Sequence, residues 1–231
     1  MQPTVTLRKL KDKLGRSLSL STLHRRIRQV GYSRKRLSSK LLGVCTPDAI
    51  ERFKSLHSSL SPHHTITSID ECHFSNRLFP QYGYSEIGKR CVLRNPRGGG
   101  WRSYSLILSI SSDGQSFMRV IEGTVTRDKF RTWVKDADFP NGTVLLLDNC
   151  SIHHGNDSTF ESLEVTPLYL PPYSPQYQPV ELAFSKVKQI FRSLWPHPMG
   201  VPAAIEHAVS QITVSDIQGY FRHTERCISE S

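Results

Sequence analysis

No apolar run in the 231 residues approaches the roughly 20 that a helix needs to cross a bilayer. The first residues also lack the apolar stretch of a secretory signal. No membrane partner is expected. Cysteine is scarce and poorly placed for cross-linking: five residues, at 45, 72, 91, 150 and 227, with no Cys-x-x-Cys pair. An odd, scattered set argues against a disulfide framework and a zinc ribbon, and fits reduced thiols in an intracellular protein. In that setting the Asn-x-Ser/Thr sequences at Asn141, Asn149 and Asn156 carry no message. Acidic residues are missing from one region only. Residues 1–60 hold 3 Asp/Glu against 14 Lys/Arg, whereas residues 61–231 hold 17 against 16. The net charge of +10 therefore belongs to the first quarter of the chain. A basic module beside a neutral body points to a polyanion-binding unit carried by something else.

Within the basic module, Leu7, Leu10 and Leu14 fall at helical spacing and Gly15 suits the end of that helix. After Arg16-Ser17-Leu18, either Ser19 or Ser21 caps a second helix. Its inward stripe is Leu20, Leu23, Ile27 and Val30, and Thr22, Arg25, Arg26 and Arg28 face outward. Two short helices joined by a tight turn, the second rich in arginine, make a helix-turn-helix pattern over residues 1–42. Early polar residues such as Thr22 would reach base edges of double-stranded DNA, while the arginines grip phosphates. Arg34, Lys35 and Arg36 continue the basic strip, either along a groove or as a nuclear import signal. Residues 43–64 are expected to be a linker helix, started by Thr46-Pro47-Asp48 and carrying Ile50, Phe53 and Leu56, followed by a polar linker.

The remainder, 65–231, is organised around Thr143-Val144-Leu145-Leu146-Leu147-Asp148, an apolar run after the turn signal Pro140-Asn141-Gly142. It reads as a strand buried on both faces that ends in a carboxylate. An isolated buried carboxylate is costly, so Asp148 is either paired or useful. In open α/β sheets the ligand crevice lies at such strand ends. Upstream, Ile66 to Phe74 reads as a strand holding Asp70 and Glu71, which alternation sends to opposite faces. Tyr104 to Ser111 and Phe117 to Ile121 read as a strand pair about Asp113-Gly114. Arg127 to Ala137 reads as a helix. The stretch His153 to Glu161 is polar, and Val165 to Leu170 is a short strand. Leu170-Pro171-Pro172-Tyr173-Ser174-Pro175 cannot be sheet interior. Pro179 then opens an amphipathic helix with Glu181 in its first turn. Two short helices, Ala203 to Gln211 and one from Ser215, close the chain.

Asp70, Asp148 and Glu181 thus sit on a strand, at a strand end and at a helix start. Three antiparallel strands extended by parallel ones, with helices packed on them, form a mixed five-stranded sheet of the ribonuclease H-like α/β kind, preceded here by a small all-α unit. Three carboxylates brought together repel, so divalent cations favour the site. Oxygen-only ligands select Mg²⁺ or Mn²⁺ over zinc. Two such ions suit in-line displacement at phosphorus without a covalent enzyme intermediate.

Three blocks carry a resemblance: Ser68-Ile69-Asp70-Glu71, Leu147-Asp148-Asn149-Cys150-Ser151-Ile152-His153, and Leu170-Pro171-Pro172-Tyr173-Ser174-Pro175-Gln176-Tyr177-Gln178-Pro179-Val180-Glu181. Over about residues 60–225 the chain resembles the IS630/Tc1/mariner transposases. The resemblance implies that Asp70, Asp148 and Glu181 are the catalytic acids and hold two Mg²⁺ or Mn²⁺ ions. It also implies endonucleolytic cleavage of terminal inverted repeats and transfer of 3′ ends to target DNA, by at least a homodimer on DNA. Gln178 stands where the family usually has Asn, and Phe184 where it has Trp. The family commonly carries two helix-turn-helix units, and residues 1–42 accommodate one. Glu71 is read as a supporting or surface group, and His153 as a hydrogen-bonding residue that orients its loop. A nuclear location follows for a eukaryotic host and a cytoplasmic one for a bacterial host. The competing readings are a domesticated DNA-binding regulator and a ribonuclease H-like nuclease without strand transfer.

Overall fold

The computed structural model describes residues 7–14, 18–32, 45–60, 64–75, 78, 80, 83–92 and 102–230. By contacts the chain divides into two compact units, Met1–Leu42 and Gly43–Ser231. In the first, α1 (Leu7–Leu14) packs on α2 (Leu20–Gln29). Ser19 caps α2 by accepting the Thr22 N–H, which satisfies one of the orphan donors of the first turn. Leu23 is buried and Ile27 half-buried, whereas Arg25, Arg26 and Arg28 are exposed. Val30, expected on the inward stripe, lies past the last helical residue as the C-cap and is 69% exposed. The helix ends one residue before it, at Gln29. Arg34, Lys35 and Arg36 lie outside the described residues.

The second unit begins with α3 (Pro47–Ser58), capped by Thr46 with Pro47 at its first position. This segment is not only a connector. Phe53 is buried and stacks on Tyr177, with ring centroids 5.5 Å apart and planes at 16°. Burying a ring of that size contributes about 1.5–3 kcal/mol, which fastens α3 to the body that follows.

That body is a five-stranded sheet in the order β3-β2-β1-β4-β5. β1 (Ile66–Ser75), β2 (Ser103–Ser111) and β3 (Ser116–Glu122) pair antiparallel, and β4 (Val144–Leu147) and β5 (Thr166–Tyr169) extend the sheet in parallel from β1. The turn from β2 to β3 needs Gly114: its φ is +95°, and a Cβ there would stand 2.6 Å from the Val214 side chain. Between β3 and β4 runs α4 (Arg127–Asp136), and between β4 and β5 a short helix, α5 (Asp157–Ser162), within the stretch expected to be merely polar. After β5 come a 3₁₀ turn (Pro175–Tyr177), α6 (Pro179–Ser193), α7 (Val201–Ser210) and α8 (Val214–Glu230).

Strand alternation sorts the core into two layers. Cys72 and Phe74 of β1 and Leu106, Leu108 and Ile110 of β2 pack with α6, α7 and α8. Ile69, Ile107, Leu145 and Leu147 pack on the other face with Phe130, Trp133 and Val134 of α4 and Phe160 of α5. All four residues of β4 are buried, as an apolar run without alternation requires of a central parallel strand. The same alternation places Asp70 on the α6 face and Glu71 on the α4 face.

Candidate active site

β4 ends at Leu147, and Asp148 follows at the carboxyl end of the parallel pair. Asp70 lies on the neighbouring strand, β1, and Glu181 in the first turn of α6. The start of α6 is tied to β1 by two hydrogen bonds. Gln178, itself buried, donates its Nε2–H to the Ile69 carbonyl at 3.1 Å, and the Val180 N–H donates to Ser68 Oγ at 3.4 Å. These bonds deliver Glu181 to the strand that bears Asp70. Gln178, noted in the sequence only as a departure from a family pattern, is thus the clasp of the site. Its partner is a backbone carbonyl 109 positions away, which no local signal announces. Asn149 makes a second clasp, donating from Nδ2 to the Leu170 carbonyl at the start of the Pro-rich turn.

Asp70, Asp148 and Glu181 line one cleft of about 440 Å³, walled by Leu170–Pro175. Tyr173 stands at this wall with a left-handed backbone, φ +55°, and is 68% exposed. A bulky residue rarely adopts that conformation, and the prolines around it hold the turn.

Two of the acids have opposite proton affinities. Burial pushes the Asp70 carboxyl up to about 8. The Glu71 N–H, donated to Asp70 Oδ1 at 2.7 Å, opposes that rise, but the charges of Glu71, Asp148 and Glu181 reinforce it. The charged side chains with the largest effect on Asp70 are thus acidic. At Asp148 burial also raises the carboxyl, yet the balance is a lowered value. His153 Nδ1 lies 2.7 Å from Asp148 Oδ1, the Cys150 N–H donates to the same oxygen at 2.9 Å, and the charges of His153 and His154 add to both.

His153 is itself fully buried. Burial would depress its imidazolium, but the hydrogen bonds to Asp148 and Glu71 and their charges outweigh that and lift it to about 10. Its Nε2 faces Glu71 Oε1 and Oε2 at 3.1 and 3.2 Å. With a carboxylate at each ring nitrogen, both nitrogens carry hydrogen and donate. His153 was expected to orient its loop and Glu71 to be a supporting or surface group; in the structure the ring of His153 lies between the carboxylates of Asp148 and Glu71.

Three carboxylates, oxygen donors only, with one of them half-buried among like charges, form a donor set that suits a hard divalent cation. Among the described residues, no three His, Cys, Asp or Glu side chains stand close enough to grip an ion as they are. Of the residues expected to contact DNA, Thr22 is half-buried and Arg25, Arg26 and Arg28 are exposed on α2, in the other unit.

Residues 65–197 match the family described as DDE superfamily endonuclease. No curated protein matches the chain by sequence. In fold the chain is similar to the Mos1 transposase paired-end complex with left transposon end, with a TM-score of 0.69 and 16% identity, over 99% of this chain and 75% of that one. The Mos1 strand transfer complex gives 0.65 and 17%, over 99% and 72%. The catalytic domain of Mos1 mariner transposase gives 0.56 and 15%, over 84% and 97%. At such identities the likeness is one of fold: a ribonuclease H-like sheet with its flanking helices.

Proposed function

The chain belongs to the DDE superfamily endonucleases, and from that premise we propose that it is a transposase, cutting the ends of its own element and joining their 3′ ends to target DNA. The observation that carries the reading is the convergence of Asp70, Asp148 and Glu181 on one cleft, where the charges of the other acids bear on Asp70. Asp70, Asp148 and Glu181 are the residues that hold the cations and act in catalysis. Other solved structures of the mariner transposase Mos1 contain Mn or Mg, which supports the same choice of ions here. When bound, two Mg²⁺ or Mn²⁺ ions stabilise the attacking and leaving oxygens of an in-line displacement at a phosphodiester.

The chain's own residues do the rest. His153 and the Cys150 N–H both engage Asp148 Oδ1, so the orientation of that carboxylate is set before substrate arrives. Gln178 and Ser68 fix the start of α6, and with it Glu181. The Pro-rich wall shapes one side of the cleft and presents the Tyr173 ring at its mouth. In the first unit Arg25, Arg26 and Arg28 neutralise phosphates, with Arg34, Lys35 and Arg36 continuing the strip, while Thr22 reaches a base edge. The acting species is a homodimer on two DNA ends. It works in the nucleus of a eukaryotic host or the cytoplasm of a bacterial one.

The test uses a supercoiled plasmid carrying the genomic sequences that flank the coding region. Metal-dependent nicking at their borders, followed by joined products, is the expected result. Nicking without joined products would indicate a nuclease, and binding without nicking a DNA-binding regulator.

A further inference from the structure

Neither Glu71 nor His153 lines the cleft; the Glu71 side chain meets His153, and His153 meets Asp148. Their joint purpose is legible in what surrounds the ring. From α4, Arg127 Nη2 donates to the Ser151 carbonyl at 2.8 Å, and Arg131 Nε donates to Asn156 Oδ1 at 3.3 Å. Asn156 Nδ2 in turn donates to the Ile152 and His153 carbonyls, both at 2.9 Å. The Tyr169 hydroxyl donates to the His153 carbonyl at 3.2 Å, and the Phe130 ring lies 4.6 Å from the imidazole, centroid to centroid. The loop after β4 is therefore fastened from α4, α5 and β5, and its one fully buried histidine is aimed at Asp148 Oδ1. That oxygen pairs with His153 Nδ1, which also lies 3.4 Å from the Asp148 carbonyl, and accepts the Cys150 N–H, whereas no described residue donates to Oδ2.

We propose that Glu71 and His153 are a positioning pair that locks Asp148 through Oδ1 and leaves Oδ2 as the single oxygen offered to a divalent cation. Glu71 holds the imidazole at Nε2, and the imidazole holds the carboxylate at Nδ1. This rests on the reading of Asp148 as a cation ligand. Charge alone argues the other way: a cationic ring 2.7 Å from a ligand oxygen weakens the attraction for a metal. Removing the ring would then tighten binding if electrostatics ruled, and loosen it if orientation does. Partners that orient metal ligands from behind are worth about 10–100-fold in affinity.

The test measures Mn²⁺ binding to the full chain from the free-ion electron paramagnetic resonance signal, beside a thermal melt for each variant. His153→Phe keeps the ring volume and removes both donors, and Glu71→Ala removes the acceptor behind it. Each is expected to weaken Mn²⁺ binding about tenfold or more. Glu71→Gln keeps an acceptor for the Nε2–H and is expected to restore binding to within about threefold of wild type, a rescue that a loss of general stability would not show. Unchanged or tighter binding in His153→Phe overturns the proposal, as does a Glu71→Gln variant as weak as Glu71→Ala. If His153→Phe does not fold, the comparison of the two Glu71 variants decides alone. Wild type whose Mn²⁺ binding is absent, or unaffected by Asp148→Asn, instead overturns the reading of the cleft on which the proposal rests.

Discussion

Two carboxylates in one cleft, Asp70 and Asp148, are treated oppositely by the fold. Both lose water on burial, which raises a carboxyl in each case. Asp148 is met by a buried imidazolium and a backbone N–H on one oxygen, and ends below the ordinary range. Asp70 is met by one N–H and three acidic neighbours, and ends near 8. One acid is oriented and charged in advance, while burial and acidic neighbours favour the protonated form of the other. A site built from three equivalent acids would have to overcome their mutual repulsion all at once. This one has a fixed point and a responsive point.

The largest expected effect comes from removing the fixed point. Asp148→Asn is expected to lower metal-dependent nicking about a thousandfold or more, because several kcal/mol of transition-state stabilisation run through such a ligand. DNA binding, which we propose for the first unit, is expected to stay nearly unchanged in a gel-shift assay. Retained cleavage would mean that Asp148 is not the fixed point.

The responsive point gives a smaller effect of opposite sign. Because the folded carboxyl of Asp70 titrates near 8 and its ordinary value is 3.8, the folded state holds a proton that the unfolded chain has released. Its contribution therefore falls as pH rises from about 4 to about 8, and is flat above. Asp70→Asn escapes that loss. The variant is expected to melt roughly 4 °C above wild type at pH 8–9 without divalent cations, a gain on the order of 1–2 kcal/mol. The advantage shrinks toward pH 4. Calorimetric scans across that range check it.

His153 sharpens the contrast from the other side. Its folded value, near 10, lies above the ordinary 6.5, so the stability it contributes is complete below pH 6.5 and disappears as pH rises through 10. Wild-type melting temperature is expected to decline between those limits, and His153→Gln is expected to show a shallower decline. Equal slopes would remove the imidazolium from the account of Asp148.

The mildest expected effects lie outside the cleft. Arg25→Ala or Arg28→Ala should weaken binding to all DNA sequences about equally, and reduce the salt dependence of the binding constant by roughly one unit of log–log slope each. Changing Thr22 should instead shift sequence preference. One helix-turn-helix unit reads only a few base pairs, so a monomer should discriminate poorly against random DNA at physiological salt. Selection from a random pool checks this, and enrichment of a long, defined site would contradict it.

How much of this was legible in the sequence varies with the range of the interaction. The uncharged run Val144–Leu147 closing on Asp148, the carboxylate at the opening of α6 and the Pro-rich turn are local signals from which Asp148 and Glu181 were read, and Asp70 was read from the strand pattern of Ile66 to Phe74. The mix of three antiparallel strands extended by parallel ones followed from the element pattern, and the order β3-β2-β1-β4-β5 is a finding of the structure. Other features depended on tertiary contacts. α5 has no side-chain cap and is held by burial of Thr159 and Phe160, so its polar sequence gave no periodicity to detect. Residues 43–64 read as a linker because Phe53 has its partner, Tyr177, far along the chain. Glu71 and His153 stand 82 positions apart. Strand alternation revealed that Glu71 would leave the Asp70 face, but not that a loop histidine would meet it there.

The most direct test of the contrast between the two acids is the proton count on Mn²⁺ binding, obtained by titration calorimetry in buffers of different ionisation enthalpy. A metal that takes Asp70 as a ligand must displace its proton. With a carboxyl near 8, wild type is expected to release about one proton per Asp70 site at pH 7 and almost none above pH 9, and Asp70→Asn is expected to lack that proton at both. Mn²⁺ binding at pH 7 with the same proton count in wild type and Asp70→Asn would contradict the account.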